Sequence, residues 1–326
     1  MANKYWLRIL YFKLKAWDSK TWTIFGKTMD DDKKPRIEVT GNKYLSSVKD
    51  TFTIKIYNLP YSEIVKIQTE KMFQVQIFAG YLQDQKYEDF EGKKIFDGGI
   101  INMTCSRQDF KNNIVTFVCA NKLVAKAQEF RVSVSFNSGI NLYSAVKYIS
   151  QSVGLTNISI DDSFKARFIT DCKTISGTAS SYLESLSNSN NNAFITSDST
   201  DYSYVNMYAI NKGTTKKIIV DPLKGMIING QPTLTSNGLN FTSLPVYNYA
   251  CGDILQFDNS LIDLSSGQDN YSGSLSTPNG TYLNKEGLYY IYSMSYSLSN
   301  NNGNFNISIT AKNKSLFDSI TSYTEE

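Results

Sequence analysis

Phe305-Asn-Ile-Ser-Ile-Thr-Ala311 alternates apolar and polar residues without a break, the period-2 signature of a strand buried on one face. Before it, Ser299 to Asn304 is a polar turn centred on Asn-Asn-Gly, and Leu288 to Leu298 is rich in Tyr, Ile and Met. Together they read as a hairpin. Working outward, Gly225-Met-Ile-Ile-Asn-Gly-Gln-Pro232, Thr235, Gly238, Phe241-Thr-Ser-Leu-Pro245 and Cys251-Gly-Asp-Ile-Leu-Gln-Phe257 lead into that hairpin. An earlier stretch repeats the design. Phe73-Gln-Val-Gln-Ile-Phe-Ala-Gly-Tyr81 supplies one strand and Ile95 to Cys105 a second. Arg107 to Asn113 is a polar turn, and Ile114-Val-Thr-Phe-Val-Cys-Ala120 returns. The return strands close alike, on Ala120-Asn-Lys122 and Ala311-Lys-Asn-Lys314. This echo predicts two similar β domains in one chain.

Composition agrees with that class. The chain has 326 residues, enough for two or three domains with cores of their own. Hydrophobic residues are 41% and charged residues 19%, outside the disordered range. An aromatic share of 13% with 22 Tyr and only 6 Pro, among many Asn and Ser, favours strands joined by polar turns. The net charge of +3 is too mild for a phosphate-tracking groove, and no Lys/Arg cluster supplies one.

The sequence contains 0 His. That removes Ser-His-Asp and Cys-His nucleophile systems, His-bearing zinc sites and His general acids or bases. Cys105, Cys119, Cys172 and Cys251 lie far apart without a C-x-x-C pair, so they read as small buried hydrophobes. Met29-Asp-Asp-Asp-Lys-Lys-Pro35 reads as a solvated loop, because a calcium loop needs spaced oxygens and a turn Gly. No catalytic, cofactor-binding or metal-binding residue is assigned.

From the start of the chain, Tyr5 to Lys15 reads as a strand; Arg8, Lys13 and Lys15 interrupt it, so neither a signal peptide nor a membrane span is expected. No other apolar run approaches membrane length, which predicts a soluble protein made in the cytoplasm with reduced thiols. Thr21 to Gly26 is a short strand. Phe52-Thr-Ile-Lys-Ile56 alternates until Pro60 ends the ladder, and Tyr61 to Met72 reads as a short helix or an irregular crossover with Ile64, Ile67 and Met72 inward. Gln83 to Lys94 is a charged loop.

Between the β regions the period changes. Leu142, Val146, Ile149 and Val153 form a helical stripe ending at Gly154, a left-handed cap. Thr156 to Ile160 is a brief strand, Thr178 to Leu186 a second helix with Thr178 as N-cap, and Ser187 to Asn192 a loop. These segments predict a small α/β domain. Gly213 to Lys217 is turn-rich, and the Gly- and Ser-rich loop 265–284 is long enough to be a projecting contact loop or simply a solvated one.

The order Ile54-Lys-Ile-Tyr-Asn-Leu59, Val75-Gln-Ile-Phe-Ala-Gly-Tyr81 and Ile95-Phe-Asp-Gly-Gly-Ile100 resembles the first tube-like domain of bacteriophage baseplate or tail hub proteins. Gly225 to Phe257 is similar to the later hub pattern: a Gly turn, a Pro, a Thr and Gly, a Leu-Pro, and a Gly-Asp opening a strand. The resemblance implies a mainly β fold with a small α/β part: two tail-tube-like β-barrel domains, 1–124 and 206–326, and an inserted α/β domain, 125–205. It implies a structural baseplate hub in the tail of a virion or a related contractile injection system. Three copies would form a homotrimer with pseudo-six-fold symmetry, joining a hexameric tail tube or distal tail ring to a trimeric central spike. A tape measure protein is a further partner, and DNA passes only in transit. No stable membrane insertion and no cofactor are implied.

Two other classes compete. A glycoside hydrolase needs only two carboxylates, for which Asp161-Asp162 or Asp198 and Asp201 are available without a motif. A carbohydrate- or receptor-binding tail protein would use Tyr289, Tyr290, Tyr292 and Tyr296 as stacking platforms, although Tyr is equally a strand and interface residue. A distal tail or tube protein would need only one β domain.

Overall fold

The computed structural model describes residues 7–27, 35–45, 50–82, 92–107, 112–121, 124–125, 131–152, 157–160, 165, 167–170, 173–179, 181–183, 185, 193–196, 204–209, 216–235, 238–263, 284, 286–301 and 303–314. The Asp30–Asp32 block, Asp161, Asp162, Asp198, Asp201, Cys172, Gly154, the Ser187–Asn192 loop and nearly all of loop 265–284 lie outside them.

The first lobe contains strands β1 (Leu7–Lys15), β2 (Thr23–Phe25), β3 (Ile37–Tyr44), β4 (Thr51–Tyr57), β5 (Gln74–Leu82), β6 (Lys93–Arg107) and β7 (Asn113–Asn121), with helix α1 (Tyr61–Thr69) between β4 and β5. Alternation decides these elements. In β4, Phe52, Ile54 and Ile56 are buried while Thr51 and Lys55 are exposed. α1 starts directly after Pro60, whose fixed φ suits a helix entry, and it buries Ile64 and Ile67, with Met72 following inward.

The middle of the chain supplies β8 (Arg131–Phe136), α2 (Leu142–Ser152), β9 (Asn157–Ile160), β10 (Lys173–Thr178), β11 (Ala193–Thr196) and β12 (Tyr204–Ala209). β8 pairs with β10, and β12 lies between β11 and a parallel β9. Asn141 caps α2 by accepting from the Tyr143 N–H at 2.8 Å. Leu142, Ala145, Val146 and Ile149 pack with Val132, Phe136, Ile169, Ala179 and Leu183 into a core cluster separate from the main one. Thr178 ends β10, and helical residues follow it from Ala179, so the second expected helix starts where its N-cap was placed.

The last part contains β13 (Lys217–Ile219), β14 (Ile228–Thr235), β15 (Gly238–Ser243), β16 (Ile254–Gln256), β17 (Leu288–Ser299) and β18 (Phe305–Asn313). Gly225, the Gly turn of the hub-like pattern, takes φ +76°, in the left-handed region. Each lobe lays down its strands in one spatial order. The first reads β3-β4-β7-β6-β5-β1, and the second β14-β15-β18-β17-β16-β13. The counterparts of β3, β4, β5, β6 and β7 are therefore β14 to β18. The lobes differ at the last strand, since β1 runs antiparallel to β5 whereas β13 runs parallel to β16.

The mainly β, antiparallel fold is as expected, but the two closed barrels are not. Among the described residues the strands form one open 13-stranded sheet over a single main core cluster. The physical reason is the fate of β3. Its outer edge, which would close the first lobe, is instead taken by β17 from the second.

Candidate assembly interface

The geometry that stands out among the described residues lies at the sheet edges. β17 is long enough to serve two neighbours. Leu288 to Tyr290 pair with β16, and Ser293 to Ser299 pair with β3, from Ser293 opposite Tyr44 to Ser299 opposite Glu38. Tyr292 is the extra residue of a bulge between the two halves, the local kink that lets one strand leave one sheet direction for another. β6 has the same device, with Ile101 as the extra residue between Ile100 and Asn102.

The junction between the lobes is closed at both ends. The Leu45 N–H donates to the Tyr292 carbonyl at 3.0 Å, and the Asn300 N–H donates to the Ile37 carbonyl at 3.2 Å. Asn300 reaches further with its side chain. Its Oδ1 accepts from the Ile37 N–H at 2.8 Å, and its Nδ2 donates to the Pro35 carbonyl at 2.9 Å. The polar turn of the hairpin is thus a clamp on the first lobe. Arg8 on β1 donates to the Gly303 carbonyl at 2.6 Å and lies over the Phe305 ring, and Tyr81 meets that ring edge-on at 5.0 Å.

Beneath the junction, Phe52 sits 4.4 Å from Phe96 and 5.3 Å from Tyr296 between ring centres. Gly41 pairs with Tyr296, and a Cβ there would run into the Phe52 ring. At the rim, Glu38 accepts from Tyr57 Oη at 2.9 Å and forms an ion pair with Arg36. Burial pushes the Glu38 carboxyl up, but the hydrogen bonds from Arg36 and Tyr57 outweigh it and hold the group below the usual glutamate range.

The tyrosines of β17 do not form a stacking platform. Tyr289, Tyr290 and Tyr296 are buried in the sheet, and only Tyr292 is partly open, with Lys312 Nζ 3.7 Å from its ring centre. The bulge at Tyr292 puts Tyr289 and Tyr296 on the same face, beside Ile291, Met294 and Leu298, and Tyr290 is buried on the other. Of the described cysteines, Cys119 is buried, with its thiol pushed up by burial, but Cys105 is exposed and so departs from the expected buried role. Reading from sequence passed over β3, the strand that carries the junction. Ile37-Glu-Val39 alternates, but Thr40-Gly41-Asn42 looks like a turn.

No protein-family model and no curated protein sequence matches the chain. Solved structures do. The 43 kDa tail protein of prophage MuSo2 from Shewanella oneidensis superposes with a TM-score of 0.55 at 8% identity, covering 95% of this chain and 98% of that one. The tail protein from Neisseria meningitidis MC58 gives 0.54 at 8% identity over 96% and 98%. The E. coli c3393 protein, described as a type VI secretion component structurally similar to T4 tail proteins gp27 and gp5, gives 0.57 at 9% identity over 86% and 74%. The chain has the fold of these tail proteins.

Proposed function

We propose that the protein is the structural hub of a phage tail baseplate or of a related contractile injection machine. The observation that carries this reading is the internal junction. Two lobes with one strand order are joined edge to edge by β17 and β3 inside a single chain. A chain so built already contains one contact between neighbouring ring units.

Three such chains form a homotrimer presenting six similar lobes. Closed cyclic symmetry then sets how many equivalent contacts each partner meets. One face of the ring matches a six-fold tail tube or distal tail ring, the other receives a trimeric central spike, and the lumen passes the genome. The tape measure protein is the remaining partner, and the ring resides in the virion tail. The chain divides as 1–124, 125–205 and 206–326, with the lobes curling as tube-like domains around the lumen and the α/β unit between them in sequence. The role is mechanical, without catalysis or a cofactor. Likeness in fold to proteins described as tail components supports it.

Light scattering across a concentration series, followed by negative-stain imaging, tests the proposal. A three-chain ring with six lobes and a central opening is the expected result. A monomer at all concentrations that binds glycans would replace the hub with the receptor-binding reading, although the burial of Tyr289, Tyr290 and Tyr296 already argues against their serving as platforms.

A further inference from the structure

Matching the ladders of the two lobes residue by residue exposes one unequal edge. On the inner side, Met103 opposite Phe117 corresponds to Met294 opposite Ile309, and Thr104 opposite Thr116 corresponds to Ser295 opposite Ser308. Cys105 then takes the place of Tyr296, Ser106 that of Ser297 and Arg107 that of Leu298. On the outer side the equivalence breaks. Ser293 to Ser299 are covered by β3, whereas among the described residues nothing pairs with the outer edge of Ile101 to Arg107.

Burial reports the same contrast. Met294, Tyr296 and Leu298 are buried, while Met103 is only partly buried and Cys105 and Arg107 are exposed. This edge has no Pro and no Lys; the devices that discourage pairing stand only at its two ends, the Ile101 bulge and the charge of Arg107 in the place of buried Leu298. Between those ends, the backbone edge of Asn102 to Ser106 is a template for another strand.

The counterpart of β3 is β14, and it stands at the far end of the sheet. Thr40, Gly41 and Asn42 correspond to Thr233, Leu234 and Thr235 through their partners on β4 and β15. Among the described residues, what meets the outer edge of β14 is a short bridge at Asp263. The Asp263 N–H donates to the Pro232 carbonyl at 2.8 Å, and the Leu234 N–H donates to the Asp263 carbonyl at 3.4 Å. These are the backbone groups that β3 uses at Val39 and Gly41 toward β17.

We infer that residues Ile101–Arg107 of β6 pair antiparallel with the β14 edge of a second copy, repeating the β17–β3 contact between chains. The register follows from the internal one: Ser295 opposite Asn42 becomes Thr104 opposite Thr235, and Ser297 opposite Thr40 becomes Ser106 opposite Thr233. Pairing starts at Thr235 and exchanges the Asp263 bridge for the incoming strand. Because the two edges are different surfaces at different places on the chain, the contact is head-to-tail, the kind that builds a ring when the rotation closes and an open filament when it does not. The inference rests on the hub reading for the number of copies and names the surface that joins them.

Cysteine cross-linking of the full chain in a Cys105→Ser background tests it. Asn42→Cys with Ser295→Cys is the internal control and should link within one chain, since that pair faces across the existing junction. Thr104→Cys with Thr235→Cys should, under the same mild oxidation, convert most of the protein into closed three-chain species, and neither single variant should do so. If the control links and three-chain particles form, but Thr104→Cys/Thr235→Cys stays unlinked, this junction is wrong and the hub reading stands. A link that yields an open ladder of ever longer species keeps the junction and overturns the three-chain ring. A chain that neither links nor associates overturns both.

Discussion

Asn313 shows how much a single buried polar side chain can carry. It ends β18 at 1% exposure, and its Oδ1 accepts from Asn284 Nδ2 at 2.8 Å. Asn284 in turn accepts from the Glu286 N–H on Oδ1 and donates its own N–H to Tyr289 Oη at 3.0 Å. Replacing Asn313 by Leu leaves the Asn284 amide without that partner, so urea unfolding should show a loss of about 2 kcal/mol. Its counterpart by strand register, Asn121, is equally buried at the end of β7. The repeated Asn-Lys close was therefore a true signal, although the paired alanines were one position out: Ala120 matches Lys312, and Cys119 matches Ala311. At the junction rim, Glu38 gives a pH dependence. Its folded carboxyl lies below the usual range, so its contribution is complete above the unfolded value of about 4.3 and disappears as pH falls through the folded value. Glu38→Gln should cost about 0.5 kcal/mol at pH 7 and make no difference at pH 2, measured by thermal unfolding at both pH values.

At the scale of elements, what was legible was alternation. β4 and β18 follow the period-2 reading, β1, β5 and β7 lie where strands were read, and α1 and α2 follow the helical stripe. What was not legible was which edges meet. β3 was hidden by Gly41, a residue that reads as a turn but is needed because Phe52 fills the space of a side chain. Gly41→Val should destabilise the junction by about 2 kcal/mol through overpacking, and hydrogen exchange should rise at β3 and in Ser293 to Ser299 more than elsewhere. Equal protection in variant and parent would remove Gly41 from the junction. For the β17 tyrosines two readings stood side by side, stacking platform and strand residue, and burial favours the second at Tyr289, Tyr290 and Tyr296. The bulge at Tyr292 shifts the register, so Tyr289 and Tyr296 share a buried face despite opposite parity, which alternation alone does not disclose.

For the whole molecule, duplication was readable from two hairpins, and their fusion was not, because the sheet crosses from lobe to lobe through strands more than 240 residues apart, Ile37–Tyr44 and Leu288–Ser299. The shared sheet and single main core mean that the two lobes should lose protection together in native-state hydrogen exchange, while the separate cluster around α2 opens at its own free energy. No helix among the described residues is long and apolar enough to cross a membrane. Assembly is where the duplicated lobes matter, and a cryo-electron microscopy map of the assembled particle addresses it directly. We expect six lobes of similar size around a lumen, with β6 of each chain continuing into β14 of the next at the spacing seen between β17 and β3. A particle whose chains meet through other surfaces, or whose lobes do not alternate around one axis, would contradict it.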